Sequence, residues 1–409
     1  MNSKGIKALT AVAILGLIVG SWGLVNRLLH GHLGSAYGSY VPWGIWVVFY
    51  LYYVGLTAGA FLITILTYVF QIKRFERIGR LSAFTVLVAL TCELIFIWFD
   101  LGHMGRVYRF LVTPSFTSLM TWFFLFTNLM LVIYLLEAFF LLRGDLVAWS
   151  QDKKRKGRGL YRLLALGKSS YGPGDQERDR RIVRTLSILS LPAGLLFYGT
   201  NGAFFAILLN RPIWNSAMTP LLFVMAALLS GGALITFLTH VFQPDKELVP
   251  YLGRVILYLL VVYILLEALQ FFVGYQTRTY AVLTSLNLIA FGPYWWTFWI
   301  VHVAIGSILP LCLLLGRPGD SKAVAWACFL IAVTFVTVRF NFIIPDLAVY
   351  KLEGLEQTFY HQRLRTNYVP SLNEWLLSLW IISLGVLVFL AGTRWLPVLS
   401  SNREGVEHA

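Results

Sequence analysis

The chain has 409 residues, 58% hydrophobic and 13% charged, with a mean hydropathy of +0.72 and a formal net charge of +14. A soluble globular domain carries about 25% charged residues, so composition excludes an ordinary soluble enzyme and makes lipid the solvent for most of the chain. Cys92, Cys312 and Cys328 lie inside apolar runs without ligand spacing, which argues against a disulfide or a cysteine-ligated cluster.

In chain order, Lys4 and Lys7 precede an apolar run from Ala8 to Val25. It is longer than the core of a cleaved signal, so this segment is expected to stay as the first span. Backbone groups in hydrocarbon must bond internally, and runs of about 20 apolar residues therefore read as helices. The runs predict spans at 8–27, 43–71, 81–101, 116–142, 184–209, 218–242, 253–275, 294–316, 322–341 and 373–395. Both termini and the loops after even-numbered spans hold 24 of the 33 Lys and Arg. Positive residues favour the cytoplasmic side, so both termini are expected there, with the chain in a prokaryotic cytoplasmic membrane. Arg143 to Arg184 holds twelve of these residues, including Lys153, Lys154, Arg155, Lys156 and Arg158. It reads as a solvated loop facing anionic headgroups. Without interleaved stacking aromatics or a folded domain, nucleic-acid binding is not expected.

The chain also matches itself. GAFLITILTYVFQ, Gly59 to Gln71, aligns with GGALITFLTHVFQ, Gly231 to Gln243, at nine of thirteen positions, and the match resumes at Gly79-Arg80 and Gly253-Arg254. Glu93 then falls opposite Glu267. The copies lie four spans apart and cross in the same direction, which is a parallel repeat. The expected fold is an all-α integral membrane protein of about ten transmembrane helices: two four-helix bundles, flanked by the first and last helices. The corresponding division is 1–42, 43–209 including the basic loop 143–183, 210–341, and 342–409. Gly55, Gly59, Gly231 and Gly232 would allow the close helix approach that membrane packing favours.

Ionisable residues at membrane depth are costly and mark functional routes. Glu93 and Asp100 are seven apart on the third span, sharing a face about 10 Å apart along the axis. Glu93 and Glu267 are candidates for a proton route, with Glu137 nearer the cytoplasmic end, where snorkelling would also explain it. Arg339 ends the ninth span and is expected to pair with a carboxylate. The outer face gathers Asn26, His30 and His32 from the first span and Asp100, His103, Arg106 and Tyr108 after the third. A quinone needs an apolar slot, a donor at each carbonyl and a group that passes protons, and histidine suits the last role. Taken singly, each histidine reads equally as an interfacial residue. A membrane haem needs two histidines at one depth, whereas His240 and His302 lie at different depths, so neither haem nor an iron-sulfur cluster is expected in this chain.

Several segments together resemble the NrfD family, the haem-free quinone-interacting membrane subunits of polysulfide reductase, HybB-type hydrogenase and related complexes. PWGIWVVFYLYYVGLTAGAFL at Pro42 to Leu62 is similar to the family's second span, and DLGHMGR at Asp100 to Arg106 to its turn, with Met104 in place of a proline. RPIWNSAMTPLLFVMAALLSGGALI at Arg211 to Ile235 and NYVPSLNEW at Asn367 to Trp375 resemble the approaches to the sixth and last spans. The resemblance implies electron exchange between membrane quinone or quinol (menaquinone or ubiquinone) and a ferredoxin-like iron-sulfur subunit on the outer face. That partner would connect to a catalytic subunit: a molybdoenzyme, a hydrogenase or a multihaem cytochrome. The implied quinone positions are Asn26, His30, Asp100, His103 and Arg106, and Glu93 and Glu267 match proposed proton carriers. The competing reading is an ion or small-solute transporter built on parallel repeats.

Overall fold

The structure, a computed structural model, describes residues 3–155, 157–211, 213–350, 354–358, 361, 364 and 366–399. Lys156, Pro212 of the RPIW segment and the tail beyond residue 399 lie outside the described residues. Each expected span is a helix long and apolar enough to cross a membrane. They are Lys4–His30, Ile45–Val69, Lys73–Asp100, Leu119–Gln151, Pro173–Ala206, Met218–Phe242, Leu248–Thr277, Thr297–Gly316, Ser321–Leu347 and Leu372–Trp395. The chain is an all-α, multi-pass integral membrane protein.

The basic segment differs from expectation. The fourth span runs on to Gln151, the fifth begins at Pro173, and Arg158–Leu164 is a further helical turn, so most of 143–183 is helix rather than open loop. Leu142, Leu146 and Val147 keep the fourth helix packed in a buried core past its apolar run, and the Arg-rich stretch from Gln176 to Arg184, made largely of good helix formers, extends the fifth. Pro173 at the first helical position and Asp175, whose carboxylate accepts from the Gly172 amide at 3.1 Å, start the fifth helix. Arg143 and Asp179 pair at 3.2 Å between the two extensions. A short helix, Tyr280–Ala290, stands between the seventh and eighth spans; Val282, Ser285, Leu286 and Ile289 form its buried stripe.

The second span packs against the third and the sixth, and the first against the tenth. Contact between the second and sixth is through bare backbone. A Cβ on Gly59 would stand 1.9 Å from the Gly232 nitrogen, and one on Gly231 2.5 Å from the Gly59 nitrogen, so only glycine permits this approach. One apolar core draws on the second to fifth spans, including Val54, Phe61, Leu90, Met130 and Phe197. Another draws on the sixth to ninth, including Leu229, Leu260, Leu314, Val324 and Ile331.

Two helices widen locally. Ile65–Val69 ends the second span, and Thr297–Ile308 opens the eighth, with i to i+5 bonding. Pro310 explains the second case: it has no N–H for the Gly306 carbonyl and its ring crowds that turn. The widened turns carry His302.

Candidate functional site

At the charge-poor end of the molecule, opposite the basic extensions, the last turn of the third span is held from outside. Arg27 of the first span donates through Nε to the Phe99 carbonyl at 2.8 Å and through Nη2 to the Leu101 carbonyl at 2.7 Å. These are carbonyls that a helix C-terminus leaves without intrahelical partners, and a cation there also suits the helix dipole. The adjacent Asp100 accepts from the Tyr37 hydroxyl at 2.6 Å. His32 completes the group, its ring 5.1 Å from Tyr37 and 5.8 Å from Trp46. Its Nε2 is buried and, among the described residues, has no hydrogen-bond partner. Burial, reinforced by the Arg27 charge, holds the His32 imidazole below its ordinary value, against the pull of the Phe99 and Asp100 backbone. Burial, then the Asp100 carboxylate, pushes the Tyr37 phenol well above its ordinary range, so Tyr37 stays a donor.

A second carboxylate lies behind this group but is fully used. Glu374 sits at the third position of the tenth span, accepting from the amides of Ser371 at 2.9 Å and Ala36 at 2.8 Å, and from the Tyr368 hydroxyl. Ser371 returns the bond to the Glu374 amide, completing a capping box. The Tyr368 hydroxyl accepts from the Ile45 amide at 2.8 Å and so caps the second span. Gly44 is required here: a Cβ would meet Tyr368, Tyr37 and Glu374, all within 2.6 Å. Glu374 and Tyr368 therefore position the site.

From this end toward the basic one, the first bundle carries a series of buried polar pairs. Glu93 is fully buried, its Oε1 accepting from Thr127 at 3.4 Å and its Oε2 without a partner among the described residues. Thr57 meets the Tyr198 hydroxyl at 2.8 Å, and Thr64 the Tyr134 hydroxyl at 2.7 Å. Glu137 follows, accepting from Ser187 at 3.1 Å, its second oxygen also unpartnered. Snorkelling does not describe Glu137: it is fully buried, because the fourth helix continues fourteen residues beyond it.

In the second bundle, Glu267 accepts from Tyr263 at 2.9 Å and meets His302 Nε2 at 2.8 Å. A cavity of about 240 Å³ adjoins this pair, lined also by Gln270, Phe298, Arg339 and Asn341. Arg339 is buried, and its Nη2 donates to the Phe223 carbonyl at 3.3 Å. The expected carboxylate is not there: among the described residues no Asp or Glu reaches ion-pair distance of Arg339. Asp346 is turned away toward Ser285, at 3.3 Å.

The proposed outer residues are only partly brought together. Asp100 joins the buried group, and the Asn26 amide lies beside Gly34 and Asn373. His30, His103 and Arg106 are exposed. The chain turns outward after Leu101, where Trp98 donates to the Met104 carbonyl at 3.2 Å, so His103 and Arg106 do not share a pocket with Asp100. Sequence reading missed Arg27, Tyr37 and the pairing of Glu267 with His302. Counting depth would not have found the last, since Glu267 lies ten residues before the end of the seventh span and His302 only five after the start of the eighth. Among the described residues no three His, Cys, Asp or Glu side chains gather as metal ligands.

Comparison with known proteins places the chain in a family. The profile of Polysulphide reductase, NrfD, matches residues 35–351. The chain is 31% identical to a subunit of the selenate reductase of Mesobacillus selenatarsenatis, over 97% of this chain and 94% of that protein. It is 27% identical to a putative dimethyl sulfoxide reductase membrane subunit of Halobacterium salinarum, covering 95% and 90%. It is 24% identical to the Hdr-like menaquinol oxidoreductase integral membrane subunit of Archaeoglobus fulgidus, covering 94% and 92%. The chain belongs to the NrfD polysulphide reductase family.

Proposed function

Starting from membership of the NrfD family, we propose that this chain is the membrane subunit of a respiratory oxidoreductase that exchanges electrons between membrane quinone and an iron-sulfur partner. The names of the relatives support the setting: one is a menaquinol oxidoreductase subunit and another a selenate reductase subunit. The observation that carries the reading is the buried, unpartnered Nε2 of His32, set among aromatic rings beside the Tyr37–Asp100 pair. A buried polar atom without a partner is costly and calls for a ligand.

A quinol, when bound, supplies two electrons and two protons. His32, kept neutral by burial, is a base at one oxygen, and Asp100 is within reach of a proton through Tyr37. Trp46 and Tyr37 give the flat apolar walls that a ring requires. Asn26 borders the group, while His30, His103 and Arg106 are exposed at the same end of the molecule, where a partner would dock. Leu33, Leu111, Val112 and Leu372 are exposed apolar residues of the same end and suit that contact. The partner would be a ferredoxin-like iron-sulfur subunit joined to a catalytic subunit. Protons taken at this end would cross by Glu93 and Glu137, while Glu267, in the second of two four-helix bundles, would exchange a proton with His302 alone. The Lys and Arg bias sets the basic end in the cytoplasm of a prokaryote, with both termini.

The test is quinol-dependent reduction of the copurified iron-sulfur partner in nanodiscs. Asp100→Asn and Tyr37→Phe, assembled normally, should lose about tenfold or more in turnover, some 1.4 kcal/mol of barrier. His103→Ala should weaken partner binding instead. Undiminished turnover in both Asp100 and Tyr37 variants would remove the assignment.

A further inference from the structure

The cavity in the second bundle has no part in the quinone site just described, yet it has the features of a ligand site. Two of its phenylalanines, Phe271 and Phe298, stack at 4.9 Å with planes 22° apart, and Phe223 meets Phe342 edge-on at 4.9 Å. Among these flat walls stand Arg339 and Asn341. Arg339 is 4% exposed and, among the described residues, has no carboxylate partner. Asn341 is 8% exposed; the oxygen of its amide accepts from Thr297 at 2.7 Å, and the nitrogen has no partner among the described residues. Arg339 has only the Phe223 carbonyl at 3.3 Å and the Phe223 ring at 4.1 Å against its charge, so a buried cation without a carboxylate and an orphaned amide border one cavity, and a ligand with acceptor atoms would satisfy both.

Charge narrows the ligand. Arg339 disfavours a cation, and the Glu267 carboxyl on the same lining, with both oxygens engaged by Tyr263 and His302, offers no free donor to a phosphate or carboxylate head. A neutral planar ring with carbonyl oxygens meets both conditions and the shape of the walls. An amide can turn N–H to a carbonyl or C=O to a hydroxyl, so Asn341 can serve the oxidised and the reduced ring alike. Val273 lines the cavity and is half exposed, with Leu269 and Phe272 exposed beside it on the seventh span, so a tail has an apolar way out along that helix.

We propose that the cavity between the sixth, seventh, eighth and ninth spans is a second binding site for the ring of an isoprenoid quinone, held by Arg339 and Asn341. The proposal rests on the reading that this subunit works with quinone, but it uses residues separate from His32, Tyr37 and Asp100. It is a binding site only; no electron transfer is assigned to it.

The experiment is photolabelling of the intact complex in nanodiscs with an azido-naphthoquinone, followed by peptide mass spectrometry. Two labelled regions are expected, one around Arg27 to Trp46 and one within Phe271 to Leu286 or Val338 to Phe342. In wild type, excess unlabelled short-chain naphthoquinone should chase the second label, which needs no variant to fold. Asn341→Leu and Arg339→Met should reduce that label about tenfold, with the first label retained and Arg339→Lys keeping part of the second. A single labelled region at Arg27 to Trp46, a second label that competitor does not chase, or a copurified phospholipid held there against naphthoquinone would each overturn the proposal. Label confined to the second region, with turnover unchanged in the Asp100 and Tyr37 variants, would overturn the first site and keep this one.

Discussion

Glu93 and Glu267 align in the internal match of the chain, yet they live among different neighbours. Glu93 has a threonine hydroxyl at 3.4 Å and a free oxygen, and polar pairs follow it toward the basic end: Thr57 with Tyr198, Thr64 with Tyr134, Glu137 with Ser187, Arg143 with Asp179. Glu267 is engaged on both oxygens, by Tyr263 and His302. Beyond it come Ile256, Leu260, Leu314, Val324, Cys328 and Ile331, an apolar plug. One bundle thus carries a series of separate buried polar pairs, and the other is apolar below its glutamate and opens a cavity beside it. A glutamate at a given depth does not define its own chemistry. The helix facing it does.

The comparison can be broken or sharpened in four ways. The largest effect is expected where the two bundles meet. Gly59→Leu drives a side chain into the Gly231–Gly232 backbone, so no monodisperse protein should survive detergent extraction and size-exclusion chromatography. A normal yield would mean that the bundles do not depend on this contact. Next comes the series of pairs itself: Glu137→Gln should lower quinol-driven turnover about tenfold, and Glu267→Gln by about threefold or less, read in the same nanodisc assay. Equal losses would erase the functional difference between the bundles.

A smaller effect falls on the cap that positions the first site. Arg27→Met leaves two helix-end carbonyls without their charged donor, and should cost about 1.5–3 kcal/mol, read as a lowered thermal midpoint. An unchanged midpoint would show that other donors replace Arg27. The smallest effect is a pH dependence. Burial holds the folded-state value of His32 below its ordinary 6.5, so the unfolded chain binds that proton more tightly. Stability is then full above 6.5 and falls as pH drops from there toward the folded value. His32→Phe should flatten the change in thermal midpoint between about pH 7.5 and about pH 5.5. An unaltered slope would assign the acid sensitivity to another group.

Much of the architecture was legible because lipid is an exacting solvent. Ten apolar runs became ten helices with no other option for their backbones, and only the ends moved, where buried Leu146 and Val147 carried the fourth helix and charged helix formers the fifth past the apolar boundary. The glycines of the internal match were visible as small residues; that Gly59 and Gly231 touch was not. Asp100, Glu93 and Glu137 stood out as carboxylates in apolar runs. Their partners did not, since Tyr37 lies in a connecting segment and Thr127, Ser187 and Tyr198 are ordinary residues of membrane helices.

By itself, then, the sequence determined the solvent, the number of crossings, the family and the carboxylates worth watching, because each follows from hydropathy, charge or local pattern along one segment. Only the tertiary structure decided which carboxylate is capped, which is bare and which is paired with histidine. It turned His103 and Arg106 outward and His32 inward, and it left Arg339 without the carboxylate its position suggested. Those outcomes depend on helix rotation and on contacts between segments up to hundreds of residues apart, such as Ala36 with Glu374, and no local pattern encodes them.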